Sequence, residues 1–225
     1  MNQTGLIVAL DTPDLKTAEA LLKKLRGLPV VYKVGSGLFT LAGPRAVELV
    51  HKYGGKVFLD LKFNDIPNTV RNAVESAARL GVYSVSLHLS GGPEMLKAAA
   101  SLKRRPRLWG ITVLTSFDES SFARAGFKSG IAKTVSVLAA MGAENGADGV
   151  VCSPREAAAV KKRFGAALKV ITPGIRFEAG GDDQKRTLTP AGARAAGADF
   201  IVAGRPVLKA PDPAAAVRGI LEELK

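Results

Sequence analysis

An acid, a base and a second acid, Asp60, Lys62 and Asp65, stand in an Asp-x-Lys-x-x-Asp spacing within the stretch Lys56–Thr69. A carboxylate beside an ammonium can hold a developing charge, and the ammonium can then deliver a proton to it. The local pattern brings the pair together. Val57, Leu59 and Leu61 alternate with Phe58, Asp60 and Lys62, which is a strand with one apolar face and Asp60 and Lys62 side by side on the other. Asp65 comes just before Ile66-Pro67, where an acid followed by proline reads as a helix start. The plainer reading makes Asp65 a cap and the Asp60–Lys62 pair a solvated ion pair worth roughly 0–1 kcal/mol. Against it stands the strand's setting. A strand covered on both faces carries charges only if they meet partners or a ligand.

The elements that must position these groups alternate along the whole chain. Strands are expected at residues 5–10, 30–35, 56–62, 82–88, 107–114, 148–152, 168–171 and 200–203. Helices are expected from about Asp14 to Arg26, from strand two to about Tyr53, and from Pro67 to about Leu80. Further helices follow from Pro93 to near Arg105, up to Asn145, from Ser153-Pro154, across Ala191–Ala196 and from Pro213. Ser116 to Gly130 reads as a polar connecting segment. Apolar strand runs joined by helices imply a parallel sheet, and eight such units imply a closed (β/α)8 TIM barrel, one domain over residues 1–225.

In such a barrel the strand C-termini converge on one mouth. The residues there are Asp11, Lys33, Asp60, Lys62, His88, Thr115, Cys152, Arg176 and Arg205. Alternation aims Asp11, Lys33, Asp60 and Lys62 inward on neighbouring strands about 4.8 Å apart, a contiguous array of alternating sign. His88 reads as a hydrogen-bonded barrel histidine and Cys152 as packing. Past strands seven and eight, Thr172-Pro173-Gly174-Ile175-Arg176 and Val202-Ala203-Gly204-Arg205-Pro206 each set a glycine beside an arginine. Glycine admits close backbone approach and guanidinium binds oxyanions bidentately, so these two loops read as a phosphate cradle. The segment carrying Glu178, Asp182, Asp183 and Gln184 has the length of a lid, with Gln184 placed to bridge phosphate and base.

Composition narrows the classes. The chain has 225 residues, 47% of them hydrophobic, which suffices for a large core. No apolar run approaches the roughly 20 residues of a membrane span. Met1-Asn2-Gln3-Thr4-Gly5 leads straight into a strand and does not read as a signal peptide. A single cysteine excludes an internal disulfide framework and suits the cytoplasm, and two histidines speak against a conventional zinc site. The net charge of +12 fits either nucleic acid or an anionic small molecule. Lys23-Lys24-Leu25-Arg26, Lys103-Arg104-Arg105 and Lys161-Lys162-Arg163 all fall at expected helix ends, where cations offset the macrodipole. No basic–aromatic interleaving suited to stacking bases is present, so no nucleic-acid partner is expected.

Taken together, these residues closely resemble the orotidine 5′-phosphate decarboxylase family of bacterial type. The likeness rests on Leu59-Asp60-Leu61-Lys62-Phe63-Asn64-Asp65-Ile66-Pro67-Asn68-Thr69, Val8-Ala9-Leu10-Asp11 and Tyr32-Lys33-Val34-Gly35. Leu114-Thr115-Ser116, Asp183-Gln184-Lys185-Arg186 and the two glycine–arginine segments support it. The resemblance implies decarboxylation of orotidine 5′-monophosphate to UMP without metal or cofactor, by a homodimer with shared active sites. It implies that Lys62 protonates C6, that Asp60 lies beside the departing carboxylate, and that Lys33 holds Asp60 and the ribose. It further implies that Asp11 and Asp65 contact ribose hydroxyls, with Asp65 and Thr69 reaching the neighbour's site beside Ile66. Thr115 would meet the pyrimidine, and Arg176, Gln184, Gly204 and Arg205 the phosphate end. The rivals are a magnesium-dependent sugar-phosphate decarboxylase or aldolase with the same Asp-x-Lys-x-x-Asp core, and a non-catalytic basic nucleic-acid-binding module. Where the first carries an acid, this chain has Lys33, which repels a metal.

Overall fold

The side chains of each strand divide by parity, and that division builds the molecule. A computed structural model describes residues 4–175 and 188–225. Eight strands, β1 (Gly5–Ala9), β2 (Val30–Gly35), β3 (Lys56–Phe63), β4 (Ser84–His88), β5 (Arg107–Ile111), β6 (Gly149–Val151), β7 (Lys169–Thr172) and β8 (Phe200–Ala203), form a closed barrel in chain order. All neighbours are parallel, and β1 closes on β8. This is the expected (β/α)8 barrel. Leu6, Val8, Val57, Leu59 and Val85 face outward into the layer between strands and helices, which is the larger core. Ile7, Val31, Phe58, Trp109 and Ile171 face inward and fill the lower barrel. Trp109 is fully buried there and meets the Phe58 ring edge-on, with centroids 4.5 Å apart. That plug fills the barrel's lower half and forms the base beneath the upper opening.

The outer elements are α1 (Leu15–Lys24), α2 (Ser36–Ala42), α3 (Arg45–Lys52), α4 (Pro67–Arg79), α5 (Pro93–Ala100), α6 (Glu119–Arg124), α7 (Ile131–Glu144), α8 (Pro154–Phe164), α9 (Pro190–Ala195), α10 (Arg205–Leu208) and α11 (Pro213–Glu223). Asp14 caps α1, its carboxylate accepting the Thr17 N–H at 2.7 Å. The single helix expected between β2 and β3 is two. Gly43, with φ 57°, turns the chain and Pro44 restarts it. The segment expected to be irregular after β5 holds α6, started by an Asp118–Ser121 capping box. The helix expected to reach Arg105 ends at Ala100, so Lys103-Arg104-Arg105 lies beyond it. Arg105 instead forms an ion pair with Asp148 beneath the barrel. Lys23, Lys24, Lys161, Lys162 and Arg163 do occupy last turns. Among the described residues no helix is long and apolar enough to cross a membrane.

Candidate active site

A cavity of about 460 Å³ opens at the strand C-termini. Asp11, Lys33, Asp60 and Lys62 line it, as do Thr115, Cys152, Gly204 and Arg205 from the far strands. The expected array is contiguous. Lys33 Nζ lies 2.8 Å from Asp11 Oδ1 and 3.7 Å from Asp60 Oδ2, and Lys62 Nζ lies 2.9 Å from Asp60 Oδ2. Exposure grades along it. The Asp60 and Lys33 side chains are 11% and 13% exposed, Lys62 36% and Asp11 57%. The carboxylate at the centre is therefore the driest group, and the two ends face the opening.

Strand register explains half of this geometry. Ala9 pairs with Lys33 and Gly35 with Asp60, so each charged group rises from a neighbouring rung. Gly35 also makes room: a Cβ there would stand 2.8 Å from Lys33 Nζ and 3.4 Å from Asp11 Oδ1. Relieving that contact means moving the ammonium off its carboxylates. Regular alternation does not explain the other half. Between Leu59 and Phe63 the pairing of β3 with β4 shifts, so that Phe63 is opposite Leu87 while Leu59 is opposite Val85. Lys62 sits in this irregularity with φ 52°, the one non-glycine residue of positive φ among the described residues. A lysine there costs about 1–2 kcal/mol. Bulges of this kind re-aim side chains near active sites. The Lys62 N–H, out of the ladder, donates to Ser86 Oγ at 2.8 Å, and Ser86 Oγ donates to Asp60 Oδ1 at 2.7 Å.

Burial opposes charge on Asp60. The Lys33 and Lys62 charges and the hydrogen bonds from Lys62 and Ser86 outweigh it, holding the carboxyl below its ordinary range. His88 stands on the same strand face as Ser86 but does not line the cavity, and its imidazole makes no hydrogen bond among the described residues. The hydrogen-bonded barrel histidine expected from the sequence is thus not what is found. Half-burial and then the nearby Lys62 charge push its pKa down, with Asp60 pulling the other way. Cys152 is buried at the cavity wall, as packing.

Across the cavity, Pro173 and Gly174 follow β7, and Gly204 and Arg205 lead into α10. Gly174 has φ 81°, open to glycine at little cost. Both glycine–arginine segments therefore reach the same cavity at their glycines. Arg176 and Gln184 lie outside the described residues, as do Glu178, Asp182 and Asp183 of the expected lid. Asp65, Ile66 and Thr69 are exposed and do not line the cavity. Asp65 is not the helix cap expected. Ile66 holds the N-cap position of α4, and the Asp65 carboxylate accepts the Ile66 N–H just outside it. Ile66 itself is 68% exposed. Ser86 and Gly35 shape the array although the sequence assigned neither of them a role in the site. Ser86 had a signal, a polar residue at an inward position of a buried strand.

A closed (β/α)8 barrel with a dry ionic array at its C-terminal mouth is the architecture of a barrel enzyme. The family model described as Orotidine 5'-phosphate decarboxylase / HUMPS family matches residues 4–220, and the chain belongs to that family. It is 45% identical to an orotidine 5'-phosphate decarboxylase of Trichlorobacter lovleyi over 97% of this chain and 94% of the relative. It is 48% identical to one of Nitratidesulfovibrio vulgaris, covering 97% of each. The crystal structure of orotidine 5'-phosphate decarboxylase from Lactobacillus acidophilus superposes with a TM-score of 0.87 at 35% identity, over 99% of both chains.

Proposed function

We infer that this chain decarboxylates orotidine 5′-monophosphate to UMP, the closing step of pyrimidine nucleotide synthesis, with its own side chains as the only catalysts. The observation that carries the reading is the unbroken Asp11–Lys33–Asp60–Lys62 chain of ion contacts on the cavity floor of a member of this family. Loss of CO₂ breaks the bond between C6 and the carboxylate and leaves the electron pair on C6. An ammonium already fixed beside that carbon stabilises the pair and then transfers its proton, so Lys62 is assigned as donor. Asp60, ionised and held by Lys33, faces the substrate carboxylate and is relieved of it when CO₂ departs. Lys33 and Asp11 take the ribose, and Thr115 the pyrimidine.

Gly204 and Arg205, lining the opposite wall, are assigned to the phosphate, with Arg176 and Gln184 proposed alongside them. Binding energy gathered that far from C6 orients the reacting carbon over Lys62. We further propose a homodimer. The exposed Asp65, Ile66 and Thr69 are the surface assigned to the second copy, Asp65 and Thr69 completing its site. Single mutants at Asp60 and Asp65, mixed and allowed to exchange subunits, are expected to recover part of the activity. The chain is read as one domain over residues 1–225, working in the cytoplasm.

The magnesium-dependent reading meets a local obstacle. Lys33 Nζ sits between Asp11 and Asp60, where a divalent ion drawing on those carboxylates would have to go. An ultraviolet assay on orotidine 5′-monophosphate with and without excess chelator tests the whole proposal. Turnover insensitive to chelator is expected. Abolition by chelator would transfer the assignment to the magnesium enzymes, and no turnover in either arm would overturn the decarboxylase reading.

A further inference from the structure

Ser86 is fully buried on the inner side of β4, and its hydroxyl is committed at both ends. It accepts the backbone N–H of Lys62 and donates its one proton to Asp60 Oδ1. The same Asp60 carboxylate receives the Lys62 ammonium on its other oxygen. A closed ring results: Lys62 backbone, Ser86 hydroxyl, Asp60 carboxylate, Lys62 ammonium. The ring forms where β3 has left its ladder with β4 and Lys62 has taken its left-handed conformation. An amide taken out of a ladder needs another acceptor, and Ser86 is that acceptor. Ser84, two residues earlier on the same face, offers a contrast. Its hydroxyl is as deeply buried and has no partner among the described residues. A buried hydroxyl on this face is therefore not engaged by default.

We propose that Ser86 is a positioning residue for proton transfer. Its hydroxyl locks the left-handed turn at Lys62 and the orientation of the Asp60 carboxylate, so that the ammonium stays aimed at the reacting carbon. The proposal rests on the assignment of Lys62 as proton donor. It does not have Ser86 touch the substrate, so its loss is felt in kcat and spares ground-state binding.

The test compares Ser86→Ala, Ser86→Cys, Ser86→Thr and Ser84→Ala in steady-state kinetics on orotidine 5′-monophosphate, in calorimetric binding of UMP and in thermal unfolding. Ser86→Ala is expected to lower kcat about 10- to 100-fold, the scale of a lost hydrogen bond to a charged group, with KM and UMP affinity held within about three-fold. Ser86→Thr keeps the hydroxyl and is expected to restore kcat to within about five-fold of wild type. Ser84→Ala is expected to leave kcat unchanged. If the alanine variant does not fold, Ser86→Cys, similar in size with a weak donor and acceptor, reads the same loss. A kcat for Ser86→Ala within about two-fold of wild type, an equal loss in a natively folded Ser86→Thr, or a loss confined to KM would each overturn the proposal. A crystal structure of Ser86→Ala separates it from the functional reading. Lys62 is expected to leave its positive φ or its ammonium to leave Asp60, and an unchanged Lys62 would refute the positioning role even if the wild type proved inactive on this nucleotide.

Discussion

At the mouth of the barrel Asp60 lies between Lys33 and Lys62; beneath it Asp199 lies between Lys161 and Lys169. The two carboxylates are almost equally dry, with side chains 11% and 12% exposed. Each is held below its ordinary pKa range against the opposing effect of burial. What differs is where the remaining hydrogen bonds go. Asp199 accepts the backbone N–H of Val170 at 2.9 Å, besides Lys161 at 2.6 Å and Lys169 at 3.0 Å, and so ties β7, β8 and the end of α8 together. Asp60 accepts from Lys62 and Ser86 and shares Lys33 with Asp11, and all of its cations border the cavity. The lower triad spends its bonding on the backbone and is a staple. The upper one leaves its charge facing a ligand and holds a strained lysine to do so. This matches the division of labour between the two ends of such barrels.

The largest contrast is expected from the lysines. Lys62→Ala removes the assigned proton donor, and turnover is expected to fall by at least about 10³-fold. Asp60 keeps Lys33 and Ser86 in that variant, so the melting temperature is expected to stay within about 3 °C. Lys161→Ala is its mirror: kcat unchanged, with a small drop in melting temperature because Asp199 keeps Lys169 and Val170. Near-normal turnover in Lys62→Ala would erase the distinction between the triads.

The carboxylates sharpen the same comparison at smaller amplitude. Asp60→Asn is expected to cut kcat about 10²-fold, with a loss of stability no larger than that of Asp199→Asn, since active-site charge is commonly kept at a cost to stability. Asp199→Asn is expected to leave kcat alone and to lose about 1–3 kcal/mol, or roughly 3–10 °C in melting temperature. Circular-dichroism melts and initial rates on the same preparations check both. Reversed outcomes, a stable but inactive Asp199→Asn, would place function at the wrong end of the barrel.

The contrast also marks what a sequence can carry. Inward aim for Phe58 and Asp60 followed from period-two alternation, and the barrel from its eight repeats of strand and helix, because both are local patterns. The turn at Lys62 was not legible. It depends on Ser86, which lies 24 positions away in sequence and meets Lys62 only once β3 and β4 are paired. Asp199 went unnoticed for the same reason, since its lysines come from α8 and β7. Arg105 was read as a helix-end cation because its true partner, Asp148, is equally remote in sequence. The break at Gly43-Pro44 was legible, and the run of apolar residues on either side masked it. The four-residue α10 is too short to show any period.

Acid stability is the finest of the tests. An Asp in the unfolded chain titrates near 3.9, whereas the folded Asp199 titrates lower because the Lys161, Lys169 and Val170 hydrogen bonds exceed the effect of burial. A depressed folded value means that the contribution is fully present above about pH 4 and is lost as the pH falls through the folded pKa. Asp199→Asn cannot take up that proton. The melting temperatures of wild type and variant are therefore expected to differ most at neutral pH and to converge as the pH falls below the unfolded value and through the folded pKa. Asp60→Asn carries the same sign, because Asp60 is depressed as well. Parallel melting curves for wild type and Asp199→Asn from pH 7 down to pH 3 would show that the lower carboxylate titrates normally, and that its bonds to the backbone do not distinguish it from a surface ion pair.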